Sequence, residues 1–175
     1  MKGSISKITM VGVLTLAALV CGPLAAVAKT VHITSPATSS VTNVDTGTCD
    51  PNTFLPMPGD GACTGSETTS DTYSGDLEGT AISRVIFVDY SDGTGSAYAY
   101  EQFTGTVVGL GSGSFTYQDV NVLVKPDGTI DFVWNVLNGS ARGQLLGLKG
   151  GGKFAGSIFT GIGTYAGTLR LPDAQ

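Results

Sequence analysis

The stretch Gly111–Phe154, GSGSFTYQDVNVLVKPDGTIDFVWNVLNGSARGQLLGLKGGGKF, decides the fold. It places Lys-Pro-Asp-Gly at 125–128 between two β-rich runs, 114–124 and 129–137, which is the pattern of a β-hairpin. Proline presets φ for a turn, and glycine supplies positive φ at little steric cost. In the second run every even position is apolar and most odd positions are polar, the period of a half-buried strand. Those apolar positions are Ile130, Phe132, Trp134 and Val136.

The rest of the chain extends this β pattern, with no helical period anywhere. Short strands separated by turns predict a closed antiparallel barrel or a sandwich. Glycines inside the predicted strands favour the barrel, since glycine marks bulges and sharp bends at barrel corners. We therefore predict an all-β, closed antiparallel barrel of about eight strands. Besides the two runs of the hairpin, the predicted strands are 29–44, 74–90 (one long strand or two short ones), 95–110, 141–148, 153–159 and 164–171.

Residues 1–28 have the organisation of a cleaved signal peptide. Lys2 and Lys7 precede an uncharged apolar run, and Ala26–Ala28 forms a small-x-small cleavage site. Cys21 follows Val20 where a lipoprotein signal would have a small residue, so we interpret it as part of the removed peptide, with an uncleaved anchor as the alternative. The predicted organisation is a signal peptide at 1–28, a first strand and an irregular segment at 29–72, a barrel body at 73–171 and a tail at 172–175. Localisation is then secreted or periplasmic.

Charge and cysteine content exclude several classes of function. Cleavage after Ala28 leaves seven basic against 14 acidic residues, a net charge of −7. Without a basic patch, neither nucleic acid nor an anionic membrane is an expected partner. In an oxidising compartment Cys49 and Cys63 predict a disulfide that pins the irregular segment 45–72. With His32 as the single histidine, no metal site, no cofactor and no Ser/His/Asp arrangement is expected.

Four motifs carry a resemblance to a known family: SGDLEG at 74–79, QFTGT at 102–106, GSF at 113–115 followed by Gln118, and RGQLLGLKG at 142–150 ending in Phe154. Over Tyr73–Leu171 the chain resembles the bacterial allene-oxide-cyclase-barrel-like proteins, most of them of unknown function, which are related to plant allene oxide cyclases and more distantly to dirigent proteins. The resemblance implies an eight-stranded barrel with an apolar interior. Plant allene oxide cyclases hold a fatty-acid epoxide in such an interior, where a carboxylate steers charge. No catalytic residue of either group aligns with this chain.

Glu101 is the first candidate for chemistry, because it shares strand parity with Phe103 and opposes the face of Tyr98 and Tyr100. A buried carboxylate there would have a raised pKa and act as an acid or a base. We favour the structural interpretation, in which Glu101 pairs with Arg84 or faces water, since ionised groups are almost never buried unpaired.

Three further residues belong to the candidate site. Glu78 and Gln118 would join Glu101 if one register placed all three on one face, so Glu101 and Glu78 are the catalytic candidates. Trp134 is a candidate ligand-stacking platform, although its strand pattern makes it a better candidate for core. The ligand-binding candidates are Glu101, Gln118 and Trp134.

The leading hypothesis is an exported barrel that binds a small apolar or amphipathic molecule in its lumen. The rival enzyme is a cyclase or isomerase that acts by confinement, with Glu101 or Glu78 in an electrostatic role. A third hypothesis is a structural or interaction module. The lumen distinguishes them: an open cavity with a carboxylate supports the enzyme, an open cavity without one supports binding, and a filled core supports neither. An oligomer is compatible with the sequence and is not specified by it.

Overall fold

A computed structural model describes residues 28–172. The predicted signal peptide, apart from Ala28, and the last three residues of the tail lie outside this range. Within it, no residue is helical, and no helix is therefore long and apolar enough to cross a membrane. The nine strands are β1 Lys29–Asp45, β2 Ala62–Tyr73, β3 Leu77–Tyr90, β4 Gly95–Val107, β5 Gly111–Val124, β6 Thr129–Val136, β7 Arg142–Gly143, β8 Lys149–Ser157 and β9 Ile162–Leu171.

The strands form one closed antiparallel barrel. Around its circumference the order is β1-β2-β3-β4-β5-β6-β8-β9, and the pairing of β9 with β1 returns to the start. The two-residue strand β7 lies outside this ring and pairs with β5 at Gly113 and Ser114. Closure leaves no long unpaired edge for aggregation. The predicted fold class, an all-β closed barrel of about eight strands, is confirmed.

The 125–128 turn joins β5 to β6 as the sequence predicts. Lys125 and Gly128 close it through their backbone groups, with a Gly128 N to Lys125 O distance of 2.8 Å. Gly128 has a φ of 77°, a conformation that glycine adopts without steric cost. Along β6 the alternation also holds, since Phe132, Trp134 and Val136 are buried.

The irregular segment is shorter than predicted. Strand β1 continues through Pro36 to Asp45, and Ala62–Tyr73 forms β2 where the prediction of irregular structure extended to residue 72. Only residues 46–61 form a loop, and the disulfide between Cys49 and Cys63 ties it to the start of β2 with a Cα–Cα distance of 4.9 Å. The sequence of β2 lacks apolar alternation because its inward-facing residues line an open part of the lumen, as described below.

The predicted strand 141–148 is wrong. Only Arg142–Gly143 pairs as a strand, and the following residues form turns that bury Leu145 and Leu148 at one end of the barrel. The glycine triplet 150–152, which falls between the predicted strands 141–148 and 153–159, lies inside β8. A Cβ on Gly152 would collide with the Ala166 carbonyl oxygen on β9. The glycines therefore allow a close approach of β8 and β9 that any side chain would prevent.

One half of the lumen is filled. Its centre is an aromatic group in which Phe103 and Phe115 have ring centroids 5.0 Å apart, and Trp134 packs edge-on against Tyr117 at 5.8 Å. A Cβ on Gly167 would lie 2.7 Å from the Trp134 ring, so this glycine makes room for the indole. Aliphatic side chains complete this packed end: Ile33, Leu77, Val107, Leu110, Val136, Leu145, Leu148 and Leu169.

Candidate functional site

The other half of the lumen is an open cavity of about 720 Å³. Its lining in the middle of β1, β3 and β4 is small, with Ala37, Ser83 and Ala99 where the packed end has phenylalanine and leucine. Apolar walls come from Val41, Val44, Val85, Phe87, Val122, Val124, Ile130, Phe132 and Phe154. The cavity volume lies within the range of small-molecule sites, roughly 300 to 1,000 Å³.

The mouth of the cavity is formed by loops with exposed apolar residues. Phe54 and Leu55 come from the disulfide loop, and Ile158 and Phe159 from the β8–β9 turn. All four are at least 40% exposed. The β5–β6 turn also contributes to the mouth, through Pro126. An amphipathic molecule would therefore meet an apolar rim before it enters the lumen.

A β-bulge in β5 shapes the wall next to the floor. Before the bulge the buried residues stand at odd positions, 115, 117 and 119. After it the buried residue stands at an even position, Val122. Asn121 accommodates this change with a φ of 55°, one of the few left-handed non-glycine residues in the described chain. The bulge lets β5 present both Asp119 and Val122 to the cavity.

Glu101 lies at the floor of the cavity, 5% exposed, where three tyrosine hydroxyls meet its carboxylate. Tyr73 donates to Oε2 at 2.7 Å, Tyr165 donates to Oε1 at 2.8 Å, and Tyr117 also donates to Oε2. Burial, followed by the Glu101 charge, raises the pKa of all three tyrosines well above the usual phenol value. The phenols therefore remain donors, and charge-assisted hydrogen bonds of this kind stabilise a buried carboxylate.

Asp119 is the second carboxyl at the floor, 2% exposed, and it faces Ala99 across the β4–β5 ladder. Its Oδ1 has no hydrogen-bond partner and is the one such buried side-chain oxygen or nitrogen in residues 28–172. Burial, and after it the Glu101 charge, raises the pKa of Asp119 to about 11. Asp119 is therefore a neutral carboxylic acid at physiological pH, and it lies beside Glu101.

Three more carboxyls follow the cavity wall towards the mouth. Asp71 on β2 accepts a hydrogen bond from the Thr69 hydroxyl at 2.9 Å. Burial, with a smaller contribution from the Glu101 charge, raises the pKa of Asp71 to about 6. Nearer the mouth, burial also raises the pKa of Glu67 and of Asp89 above the ordinary carboxyl values. The cavity is thus apolar on its walls and acidic along one side.

The structure places the sequence-predicted residues in different surroundings. Glu101 does face the lumen, and the interpretation that it pairs with Arg84 or faces water is wrong, since its partners are the three tyrosines. Glu78 and Gln118 do not line the cavity, and Glu78 is exposed on the outside of β3. Trp134 lies in the packed end, 2% exposed, where its Nε1 donates to the Lys153 carbonyl at 3.3 Å.

Sequence reasoning missed Asp119, Asp71 and the three tyrosines. A signal for Asp119 was present, because it shares strand parity with Phe115 and Tyr117. Asp71 and Tyr73 fall in or beside the segment that we expected to be irregular, so no face was assigned to them. Tyr165 comes from β9, 64 residues from Glu101, and no local pattern joins the two.

The described residues contain no group of three or more histidine, cysteine, aspartate or glutamate side chains placed to share a metal ion. His32 lies on β1, where its Nδ1 is 3.1 Å from the Thr168 hydroxyl oxygen. The polar groups that line the cavity are carboxyls, hydroxyls, backbone groups and, at the mouth, the Lys125 ammonium. They can form hydrogen bonds, stabilise charge and transfer protons.

Comparison with known proteins identifies the family. A family described as a protein of unknown function, DUF3224, matches residues 37–158. The crystal structure of a DUF3224 protein of unknown function from Shewanella oneidensis MR-1 is similar, with a TM-score of 0.61 and 22% identity, over 83% of this chain and 100% of that chain. At that identity the likeness shows a shared fold. No curated protein matches the chain. This β-barrel protein, with its half-open lumen, therefore belongs to the DUF3224 family.

Proposed function

We propose that the protein is an exported barrel that binds one small amphipathic molecule in the open half of its lumen. The observation that carries this proposal is the cavity of about 720 Å³, with apolar walls and a few convergent polar groups at its floor. That combination is characteristic of small-molecule sites. Export is supported by the predicted signal peptide and by the Cys49–Cys63 disulfide, which indicates an oxidising environment.

The packed half of the lumen has a defined part in this function. Tyr73, Tyr117 and Tyr165 form the layer between the packed end and the cavity. The Tyr165 ring contacts the rings of Tyr73 and Tyr117 at centroid distances of 5.2 and 5.8 Å. Each ring packs in the core while its hydroxyl orients Glu101. The floor is therefore preorganised before a ligand enters, which reduces the entropy lost on binding.

The proposal is tested by blocking the cavity from inside. Val85 is half-buried on the lumen side of β3, and its neighbour Ile86 points outwards, 63% exposed. Val85→Trp fills the cavity, whereas Ile86→Trp adds the same side chain to the outer surface. The ligand is detected by native mass spectrometry of protein purified from its own host, and by binding of the neutral apolar dye N-phenyl-1-naphthylamine.

We expect wild type and Ile86→Trp to bind the dye and retain a small molecule, and Val85→Trp to do neither. Circular dichroism checks that both variants keep the β-barrel. Dye binding that is equal in the two variants would overturn the proposal, as would absence of any binding to wild type.

A cyclase or isomerase acting by confinement, as in the allene-oxide-cyclase-like hypothesis, is the second candidate. The lumen criterion favours it, because the open cavity contains carboxyls, and a neutral acid, Asp119, lies beside Glu101. Ligand binding leads because it is the step that both candidates share. Such a pair combines a proton donor with a fixed negative charge. Glu78 has no role in it, because it lies outside the cavity. Incubating the retained ligand with fresh protein distinguishes the candidates, since turnover changes the ligand's chromatographic behaviour and binding alone does not.

A further inference from the structure

The charges that line the cavity are unbalanced. Five carboxyls line it, and the single lysine or arginine among the lining residues is Lys125 at the mouth. Lys125 is already paired with Asp131, at an Nζ–Oδ2 distance of 2.9 Å. The deep part of the cavity therefore has negative charge and no cation of the protein to compensate it. The five carboxyls are Glu67, Asp71, Asp89, Glu101 and Asp119.

The hydrogen bonds at the floor show where a donor is missing. Glu101 accepts from three phenols, and Asp71 accepts from the Thr69 hydroxyl. Asp119 Oδ1 accepts from nothing, although buried polar atoms in folded proteins almost always have a partner. This oxygen belongs to a residue that lines the cavity, so a ligand that reaches the floor can supply the missing donor.

We infer that the polar end of the ligand is a protonated amine, which donates to Asp119 Oδ1 beside the Glu101 and Asp71 carboxylates, while its apolar body lies along the valine and phenylalanine walls. This inference rests on the proposed function, since it names the ligand class of the same cavity. An ammonium group has three N–H donors and a positive charge, and both match what the floor lacks. A carboxylate ligand would be repelled by Glu101 and Asp71, and an alcohol would supply a donor without charge.

The pH dependence of amine binding follows from the groups that face the floor. Four strands carry the groups that face the floor: Asp71 and Tyr73 on β2, Glu101 on β4, Asp119 and Tyr117 on β5, and Tyr165 on β9. Glu67 on β2, Asp89 on β3 and Lys125 lie nearer the mouth. The pKa of Asp71 is raised to about 6, so this carboxyl gains its charge between about pH 5 and 7. Amine affinity therefore rises as the pH increases through 6. The bound ammonium also favours the charged form of Asp119 and lowers its pKa.

The experiment uses three probes with one apolar chain and different polar ends: octylamine, octanol and octanoate. Their affinities for the purified protein are measured by isothermal titration calorimetry at pH 5 and pH 7.5. At pH 7.5 we expect octylamine to bind about tenfold or more tightly than octanol, a difference that corresponds to one charge-assisted hydrogen bond, and octanoate to bind most weakly. Octylamine should lose affinity at pH 5, and octanol should not.

Two variants locate the amine. Asp119→Asn and Asp71→Asn should each reduce octylamine affinity and leave octanol affinity unchanged. Asp60→Asn removes one carboxylate from the exposed disulfide loop, outside the cavity lining, and should leave both unchanged. At pH 7.5 Asp71→Asn and Asp60→Asn each remove one negative charge, so a general electrostatic effect would appear in both. Asp119→Asn leaves the charge of the free protein unchanged, because Asp119 is neutral there.

The outcomes separate the two proposals. If octanol or octanoate binds as tightly as octylamine and Val85→Trp abolishes that binding, the amine inference fails and the proposed function stands. The amine inference also fails if Asp60→Asn weakens octylamine binding as much as Asp119→Asn does. If none of the three probes binds, or if Val85→Trp leaves their binding intact, the proposed function fails and the inference fails with it.

Discussion

The two halves of the barrel share strands and backbone pattern but differ in what fills them. At the packed end, β4 and β5 turn Phe103 and Phe115 inwards, and both side chains are fully buried. At the open end the same strands contribute Ala99 and Asp119, and the cavity remains. Strand alternation therefore decides which residues face the lumen, and side-chain volume decides whether the lumen is a core or a site. The packed end forms the core of the barrel, and the open end leaves a cavity.

The largest expected effect comes from truncating one apolar side chain in each half. Trp134→Ala should cost about 3 to 5 kcal/mol of unfolding free energy, because a buried indole leaves a cavity that its neighbours do not fill. Val85→Ala, at the open end, should cost less than about 1 kcal/mol, since Val85 already borders open space. Urea unfolding followed by circular dichroism measures both. Equal costs would show that the cavity collapses in solution.

The disulfide stabilises the mouth of the open end. Replacing Cys49 and Cys63 by serine should cost about 3 kcal/mol on the chain-entropy model for a loop of this size. Limited proteolysis of the oxidised protein should cut first within residues 46–61, the irregular loop between β1 and β2. Cleavage that begins in β2 would show that this strand is not held as the structure describes.

Mature protein should have no free thiol, and thiol labelling without reductant checks this.

Glu101→Gln tests the boundary between the halves. If Glu101 faced the lumen without strong partners, this change would leave stability nearly unchanged or raise it, because the amide removes a buried charge. The three tyrosine donors reverse that expectation: an amide oxygen cannot replace both carboxylate oxygens, and the loss should be about 1 to 3 kcal/mol. Asp119→Asn is the matched control and should be neutral or stabilising, since Asp119 is neutral and its Oδ1 has no partner. Thermal denaturation of both variants measures the difference, and a neutral Glu101→Gln would contradict the tyrosine network.

The open end should also make stability depend on pH. Asp71 has a pKa of about 6 in the fold and Asp119 of about 11, against 3.8 for an ordinary aspartate. Between the ordinary value and the raised value the folded state binds more protons than the unfolded state, so stability falls as the pH rises. We expect a loss of at least about 1 kcal/mol between pH 4.5 and 7, and a smaller loss in Asp119→Asn. Denaturant midpoints across this range provide the test, and a midpoint that rises with pH would refute the assignment.

The smallest effects are expected on the outside of the barrel. Glu78→Gln and Gln118→Ala should change stability by no more than about 0.5 kcal/mol, as surface substitutions usually do. Neither should alter dye or amine binding, because neither residue lines the cavity. A change in binding in either variant would show that the binding site does not lie in the open end.

Part of this site follows from strand parity alone. The parity of Glu101 with Phe103 made Glu101 a candidate for the lumen, although we favoured pairing with Arg84 or exposure to water. The same parity argument applied to Asp119 with Phe115 would have made that residue a second candidate. Parity did not predict the partners of Glu101. Tyr73, Tyr117 and Tyr165 reach it from β2, β5 and β9, at sequence separations of 28, 16 and 64 residues. Only the register of the closed barrel brings these hydroxyls together.

The sequence by itself determined the β-barrel, its principal hairpin, the disulfide and the inward face of β6, because alternation, turn residues and paired cysteines are local signals. The tertiary structure decided that β2 is a strand, that 141–148 is mostly turns and that half of the lumen is open. These features depend on what lies across the barrel. A threonine or an aspartate on a strand is compatible with solvent or with a cavity, and the side chains that close around it decide between the two.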